Sequence, residues 1–105
     1  MRRVYLVVLS TGVLALNAVK KWANESELVA TWRSDLPNTI YLVSEATVDD
    51  LREALRAGPI KRGRFLVVNV GKVGTDTSGY MLPETWYLFH NKRLKPQEPK
   101  EKQEK

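Results

Sequence analysis

The order of the apolar runs along this chain is the feature that most limits its fold. Two strand-like, mainly apolar blocks, residues 4–9 and 65–70, lie on either side of a hairpin pattern and two amphipathic helix patterns. The resulting order is β-α-β-β-α-β. Two βαβ crossovers around a central hairpin are typical of the ferredoxin-like sandwich, an antiparallel sheet with two helices on one face. The sequence therefore predicts an α+β fold of this type.

Both helices have their own local signals. In the second, Thr47 offers a side-chain oxygen at the N-cap, Asp49 and Asp50 suit the first turn, and Gly58 ends the pattern. These acids are interpreted as helix-capping residues and not as metal ligands. In the first helix the apolar residues recur at helical spacing, which predicts one buried face made of Ala15, Leu16, Val19, Trp22 and Ala23.

The middle of the chain predicts a hairpin, because residues 28–33 and 39–44 alternate with period two around a turn that contains Pro37 and Asn38. The alternation directs Leu28, Ala30, Ile40 and Leu42 toward the helices. The opposite face would then carry Val29, Arg33, Tyr41 and Val43, a set too apolar for water. We therefore expect a homodimer whose interface includes Val29, Tyr41 and Val43.

The C-terminal part divides into a short helix and a tail. Residues 82–90 predict a helix with Pro83 in its first turn. From Asn91 onward apolar residues are nearly absent, so we expect one domain over residues 1–90 and a disordered charged tail over residues 91–105. The tail holds six of the 17 basic and three of the 12 acidic residues, which leaves the body a net charge of only +2.

The residue types exclude several kinds of site. The chain has no cysteine and a single histidine, His90, so thiolate zinc sites and cysteine nucleophiles are excluded. We expect no metal and no cofactor. Residues 2–16 resemble a secretory signal, but β-branched residues and a Ser-Thr-Gly turn favour a buried first strand in a cytoplasmic protein without a membrane segment.

Two segments offer contacts for an anion. Residues 71–79 have the composition of a phosphate-binding loop without P-loop spacing, so we interpret them as a mobile loop in which Lys72 is the one anion contact. A basic group precedes the last apolar block. The predicted nucleic-acid contacts are Arg33, Lys61, Arg62, Arg64 and Lys72. Interpretation of the basic group as a solvated loop is an equal alternative.

Several segments resemble the bacterial SinR-like proteins. Residues 41–45 (YLVSE), 47–55 (TVDDLREAL) and 64–71 (RFLVVNVG) are similar to the aromatic-Leu-Val-Ser strand, helix and Arg-Leu-Leu-Val strand of that family, and residues 82–86 (LPETW) to its C-terminal helical segment. These proteins are related to the CRISPR spacer-acquisition endonuclease and to virulence-associated protein D. The resemblance implies a ferredoxin-like subunit that dimerises through its sheet.

The same resemblance bears on catalysis. The catalytic relatives carry, at the end of the first strand, an aspartate that binds a divalent metal, whereas this chain has Ser10 at or beside that position, followed by Thr11 and Gly12. A hydroxyl is a poor substitute for a carboxylate as a ligand of Mg²⁺ or Mn²⁺. The preferred hypothesis is therefore a non-catalytic homodimeric binding module with weak, non-specific affinity for nucleic acid.

Two alternatives stay open at this point. One is a metal-dependent DNA or RNA endonuclease with an atypical set of ligands. The other is a protein-interaction or assembly factor of a phage or mobile element, whose functional surface is the apolar sheet face.

Overall fold

A computed structural model describes residues 1–10 and 13–93 of the 105-residue chain, apart from the side chains of residues 13 and 14. This part of the chain forms an α+β fold with four strands and three helices, which confirms the predicted class. The elements are β1 (Arg3–Leu9), α1 (Val13–Glu25), β2 (Thr31–Arg33), β3 (Thr39–Ser44), α2 (Val48–Ala57), β4 (Phe65–Asn69) and α3 (Pro83–Asn91).

The four strands form one antiparallel sheet in the order β2-β3-β1-β4. Strand β1 lies in the centre, where Val7 stands opposite Ile40 of β3 on one side and Val67 of β4 on the other. A run of β-branched and aromatic residues suits this position, because such side chains pack well against the strands that pair with β1 on both sides. Strand β4, although equally apolar, lies at the edge of the sheet.

Helices α1 and α2 cover the first face of the sheet and close the main core. Side chains of β1 and β3 alternate, so every second residue points toward these helices. Ile40 and Leu42 point inward as predicted and are fully buried. Burial of a leucine or valine side chain contributes about 1.5–3 kcal/mol. The buried residues of this face include Val7, Leu9, Val19, Ala23, Ile40, Leu42 and Leu55.

The predicted capping of α2 is confirmed. The Oγ1 atom of Thr47 accepts a hydrogen bond of 3.1 Å from the backbone N–H of Asp50. The backbone N–H of Gly58 donates to the carbonyl of Ala54 at the other end. Thr47 therefore satisfies one of the N–H groups that a helix start leaves free.

Helix α3 covers part of the second face, and this corrects the predicted dimer interface. Tyr41 and Val43 lie on that face, but they are buried in a second core with Leu88 and Phe89 of α3. The rings of Tyr41 and Phe89 meet edge to face at 5.1 Å between centroids. Because the chain's own helix covers these side chains, neither is available to a partner.

The segment before β2 also differs from the prediction. The backbone N–H of Ser26 donates to the carbonyl of Trp22, and that of Val29 to the carbonyl of Ser26, so this segment is a turn. Strand β2 begins only at Thr31. Val29 consequently packs in the first-face core and is no interface residue, whereas Leu28 and Ala30, predicted to be inward, are exposed.

The end of α3 overlaps the predicted tail. Asn91 is the last helical residue and Lys92 closes the helix in the left-handed conformation, while residues 94–105 of the predicted tail lie outside the described residues. Within the described part of the chain, no helix is both long enough and apolar enough to cross a membrane.

Candidate functional site

Ser10 at the end of β1 takes part in pairing with the segment that leads into β4. Its hydroxyl accepts a hydrogen bond of 3.0 Å from the N–H of Arg64, and its own N–H donates to the carbonyl of Arg64 at 3.0 Å. Thr11 and Gly12 lie outside the described residues. Elsewhere, among residues 1–10 and 13–93, no group of three His, Cys, Asp or Glu is placed to hold a metal ion.

Four basic side chains gather between the end of α2 and the start of β4, and we call Arg56, Lys61, Arg62 and Arg64 the basic cluster. All four are exposed. Three of them follow from the sequence because they lie within four consecutive positions. Arg56 was missed there, although a basic residue in the last turn of a helix is a recognisable signal near free carbonyl groups.

Two members of the basic cluster bind backbone carbonyls. The guanidinium of Arg56 donates to the carbonyls of Ile60 and Gly63, at 3.3 and 2.8 Å, and the Nζ of Lys61 donates to that of Ala57 at 2.9 Å. These contacts hold the turn between α2 and β4. The side chains of Arg62 and Arg64 make no hydrogen bond or ion pair with the described residues, so they are the members best suited to contact a phosphate.

Arg33 does not belong to this cluster. It lies on β2, three strand positions from β4, a lateral distance of about 14 Å. Its Nε donates to Thr85 Oγ1 at 2.8 Å and lies 3.5 Å from Asp35 Oδ2. Because a carboxylate neutralises this mostly buried guanidinium, the structure does not support the predicted phosphate contact at Arg33.

Lys72 is also separate, because it follows β4 at the opposite end of the strand from Arg64. Its loop is closed by internal bonds: the N–H of Lys72 donates to Asp76 Oδ2, and the N–H groups of Thr75, Asp76 and Thr77 donate to the carbonyl of Lys72. These N–H groups already have partners, so they do not form a phosphate cradle. The side chain of Lys72 is exposed at the edge of this loop.

An uncovered apolar strip remains on the second face of the sheet. Leu66 stands opposite Val8 and Val68 stands opposite Leu6 in the β1–β4 register, so these side chains lie on the second face of the sheet. The second core, which includes α3, covers β3 and Val4 of β1 on this face. Leu66 is 59% exposed, Val68 39% and Val8 36%. We call Val8, Leu66 and Val68 the β1–β4 strip.

The β1–β4 strip borders an unprotected sheet edge. Among the described elements β4 pairs only with β1, and its five residues, Phe65–Asn69, include no charge and no proline. Proteins usually protect an edge strand with lysine, proline or a bulge, because free N–H and C=O groups pair readily with another chain. This strand has none of these features, and Arg64 of the basic cluster lies directly before it.

Comparisons of this chain with protein-family models, with curated proteins and with solved structures found no match. Its geometry and its sequence therefore carry the functional assignment.

Proposed function

We propose that this chain is a non-catalytic homodimeric binding module with a ferredoxin-like subunit of the SinR-like kind. The order of its elements and of its strands supports the subunit type. In the sheet, β3 lies between β2 and β1, and β1 lies between β3 and β4. Two interleaved βαβ crossovers require this order. The position of Ser10, which pairs with Arg64 and offers no carboxylate, supports the absence of a metal-dependent nuclease site.

The β1–β4 strip is the observation that carries this proposal. It combines exposed apolar side chains with an edge strand that lacks protective charges. A second copy, related by a twofold axis, would cover the strip with the same strip, because a twofold interface is self-complementary. Covering a side chain as exposed as Leu66 contributes roughly 1 kcal/mol, and the less exposed Val8 and Val68 each contribute less.

The position of the basic cluster relates this dimer to nucleic acid. Arg64 immediately precedes β4, so a dimer built on the β1–β4 strip has one basic cluster beside the interface in each subunit. Two such clusters double the number of phosphate contacts. With Arg62 and Arg64 as the main contributors, binding is weak, independent of sequence and strongly reduced by salt.

Light scattering tests the dimer. Wild-type protein at high micromolar concentration should have twice the mass of one chain, whereas Leu66→Asp should have the mass of one chain because it buries two facing carboxylates. The control is Leu28→Asp, which changes another exposed leucine, 40% exposed and outside the strip, and should leave the mass unchanged. A monomeric wild type would contradict the proposal and favour the protein-interaction hypothesis, with a different protein on the strip.

A salt titration tests the nucleic-acid contacts separately. The logarithm of the binding constant should fall linearly with the logarithm of salt concentration, and Arg62→Ala combined with Arg64→Ala should reduce this slope by about two units. Lys20→Ala combined with Lys21→Ala removes the same charge from α1 and should leave the slope nearly unchanged. Equal slopes in the two double variants would exclude the basic cluster as the phosphate-binding surface.

A further inference from the structure

The outer edge of β4 is a surface distinct from the β1–β4 strip, because it lies in the plane of the sheet and not on its face. Two hydrogen bonds fix which backbone groups it presents. The N–H of Val70 donates to the carbonyl of Val4 at 2.9 Å, and the N–H of Ser10 donates to that of Arg64 at 3.0 Å. Both pairs continue the β1–β4 register, in which bonded and non-bonded pairs alternate. The even-numbered residues from 64 to 70 therefore bond to β1.

The odd-numbered residues of β4, Phe65, Val67 and Asn69, point their N–H and C=O groups away from β1, and we call these groups the β4 edge. No other described residue forms a backbone hydrogen bond with them. Phe65 and Val67 pack against the main core but are only half-buried, as expected when no strand lies beyond them. An added strand would bond to the β4 edge and cover these two side chains.

The charge beside the β4 edge decides which strand fits. Strand β4 itself carries no charge. Arg64 directly precedes it, and its exposed side chain has no hydrogen bond or ion pair with the described residues. All strand pairs of this sheet are antiparallel, and an antiparallel strand added to β4 would end beside Arg64. The edge therefore suits a strand with an uncharged middle and a carboxylate at its C-terminal end.

A second copy of this chain does not provide that carboxylate. In every antiparallel register that pairs the β4 edges of two copies, Arg64 faces residue 66, 68, 70, 72 or 74 of the other copy. These residues are Leu66, Val68, Val70, Lys72 and Gly74. None of them is acidic, and Lys72 would repel Arg64. Charge complementarity therefore favours a different polypeptide at the β4 edge.

We propose that the β4 edge binds an extended peptide segment as a fifth, antiparallel strand, with apolar residues opposite Phe65 and Val67 and an acidic residue opposite Arg64. The peptide backbone supplies the hydrogen bonds, and the acidic residue sets direction and register. This interaction does not depend on the proposed dimer, whose interface is the face of the sheet. Arg64 is also a proposed phosphate contact, so the peptide and nucleic acid exclude each other at this residue.

The probe is a hexapeptide with blocked ends and the sequence TVVTIE, whose third residue faces Val67 and whose glutamate faces Arg64. Added to ¹⁵N-labelled wild-type protein, it should shift the amide signals of Phe65, Val67 and Asn69 more than those of the residues between them, which already bond to β1. N-methylation of its third residue removes an N–H directed at β4 and should weaken binding at least about tenfold. N-methylation of the fourth, whose N–H points away, should change binding little.

The peptide's effect on β4 can contradict the proposal in three ways. One is the absence of any shift in β4. Another is equal weakening by the two N-methyl groups, which would mean that backbone pairing is not the binding mode. The third is slow hydrogen exchange of the Phe65, Val67 and Asn69 amides before peptide is added, as slow as that of the residues between them, which would mean that a second copy already occupies the β4 edge.

A charge exchange then tests the acidic position. Wild-type protein should bind TVVTIE up to about fivefold more tightly than TVVTIK, as expected of an exposed ion pair, and Arg64→Glu should reverse this preference. Lys21→Glu makes the same charge change at an exposed residue of α1 and should keep the wild-type preference. A preference for TVVTIE that persists in Arg64→Glu, or no preference in wild type, would contradict the assigned contact and with it the proposed class of peptide.

Discussion

The two faces of the sheet are covered in different ways. The first face has two helices and a core of fully buried aliphatic side chains. The second face has the single helix α3, which covers Tyr41 and Val43. At one edge of this face, Thr85 of α3 forms a hydrogen-bonded network with Arg33 and Asp35. At the other edge the β1–β4 strip stays exposed. Stability thus comes mainly from the first face, and the surfaces suited to binding lie on and beside the second.

The largest expected effect is on the first face. Leu42→Ala removes a fully buried side chain from the centre of that core and should lower the free energy of unfolding by about 2–5 kcal/mol, because the surrounding residues cannot fill the cavity. Leu28→Ala, at an exposed leucine, should stay within about 0.5 kcal/mol of wild type. Urea unfolding measures both changes. Similar losses in the two variants would show that the first face is not the main core.

A smaller loss is expected from Leu88→Ala under α3. Leu88 is also fully buried, but a half-covered face allows α3 to move toward the sheet and reduce the cavity, so the cost should be about 2–3 kcal/mol. His90→Ala on the exposed side of α3 is the control. If Leu88→Ala costs under 0.5 kcal/mol, α3 does not cover this face in solution, and Tyr41 and Val43 again become candidates for an interface.

The polar network distinguishes the second face from the first. Thr85→Val keeps the shape of the side chain but leaves Asp35 and Arg33 without the hydroxyl between them, and should lower the free energy of unfolding by about 1–3 kcal/mol. Thr85→Ser keeps the hydroxyl and should cost less. A greater loss in Thr85→Ser than in Thr85→Val would mean that packing and not hydrogen bonding holds Thr85.

The last expected effect is confined to high pH. Because the pKa of Tyr41 rises from 10.0 to about 12 on folding, the unfolded chain loses this proton first, and stability falls as the pH rises from 10 toward 12. Tyr41→Phe cannot titrate and should lose less stability over this interval, while below pH 9 the difference between the two proteins should be constant. Parallel curves for both proteins above pH 10 would contradict the burial of Tyr41 beside Asp35.

Local signals explain what the sequence predicts correctly. Thr47 and Asp50 are three positions apart, and Lys61, Arg62 and Arg64 are nearly contiguous, so both α2 and most of the basic cluster follow from short segments. The alternation of β3 likewise identifies Ile40 and Leu42 as core residues.

Long-range contacts explain what the sequence does not predict. The apolar outer face of β3 is real, but its cover is α3, and the hydrogen bond between Thr85 and Asp35 joins residues 50 positions apart. The sequence predicts Arg33 as a phosphate contact because it does not show that Thr85 and Asp35 are its partners. Val29 is misplaced because the turn made by Ser26 interrupts the period-two pattern before β2 begins.

The most direct test of this account is amide hydrogen exchange at the two sheet edges, compared between wild type and Leu66→Asp at the same high concentration. We expect β4 (Phe65–Asn69) to exchange more slowly in wild type, because a second copy that covers the β1–β4 strip hinders opening of this strand, while β2 (Thr31–Arg33) exchanges at the same rate in both proteins. Equal exchange of β4 in the two proteins would contradict the claim that the β1–β4 strip is a dimer interface.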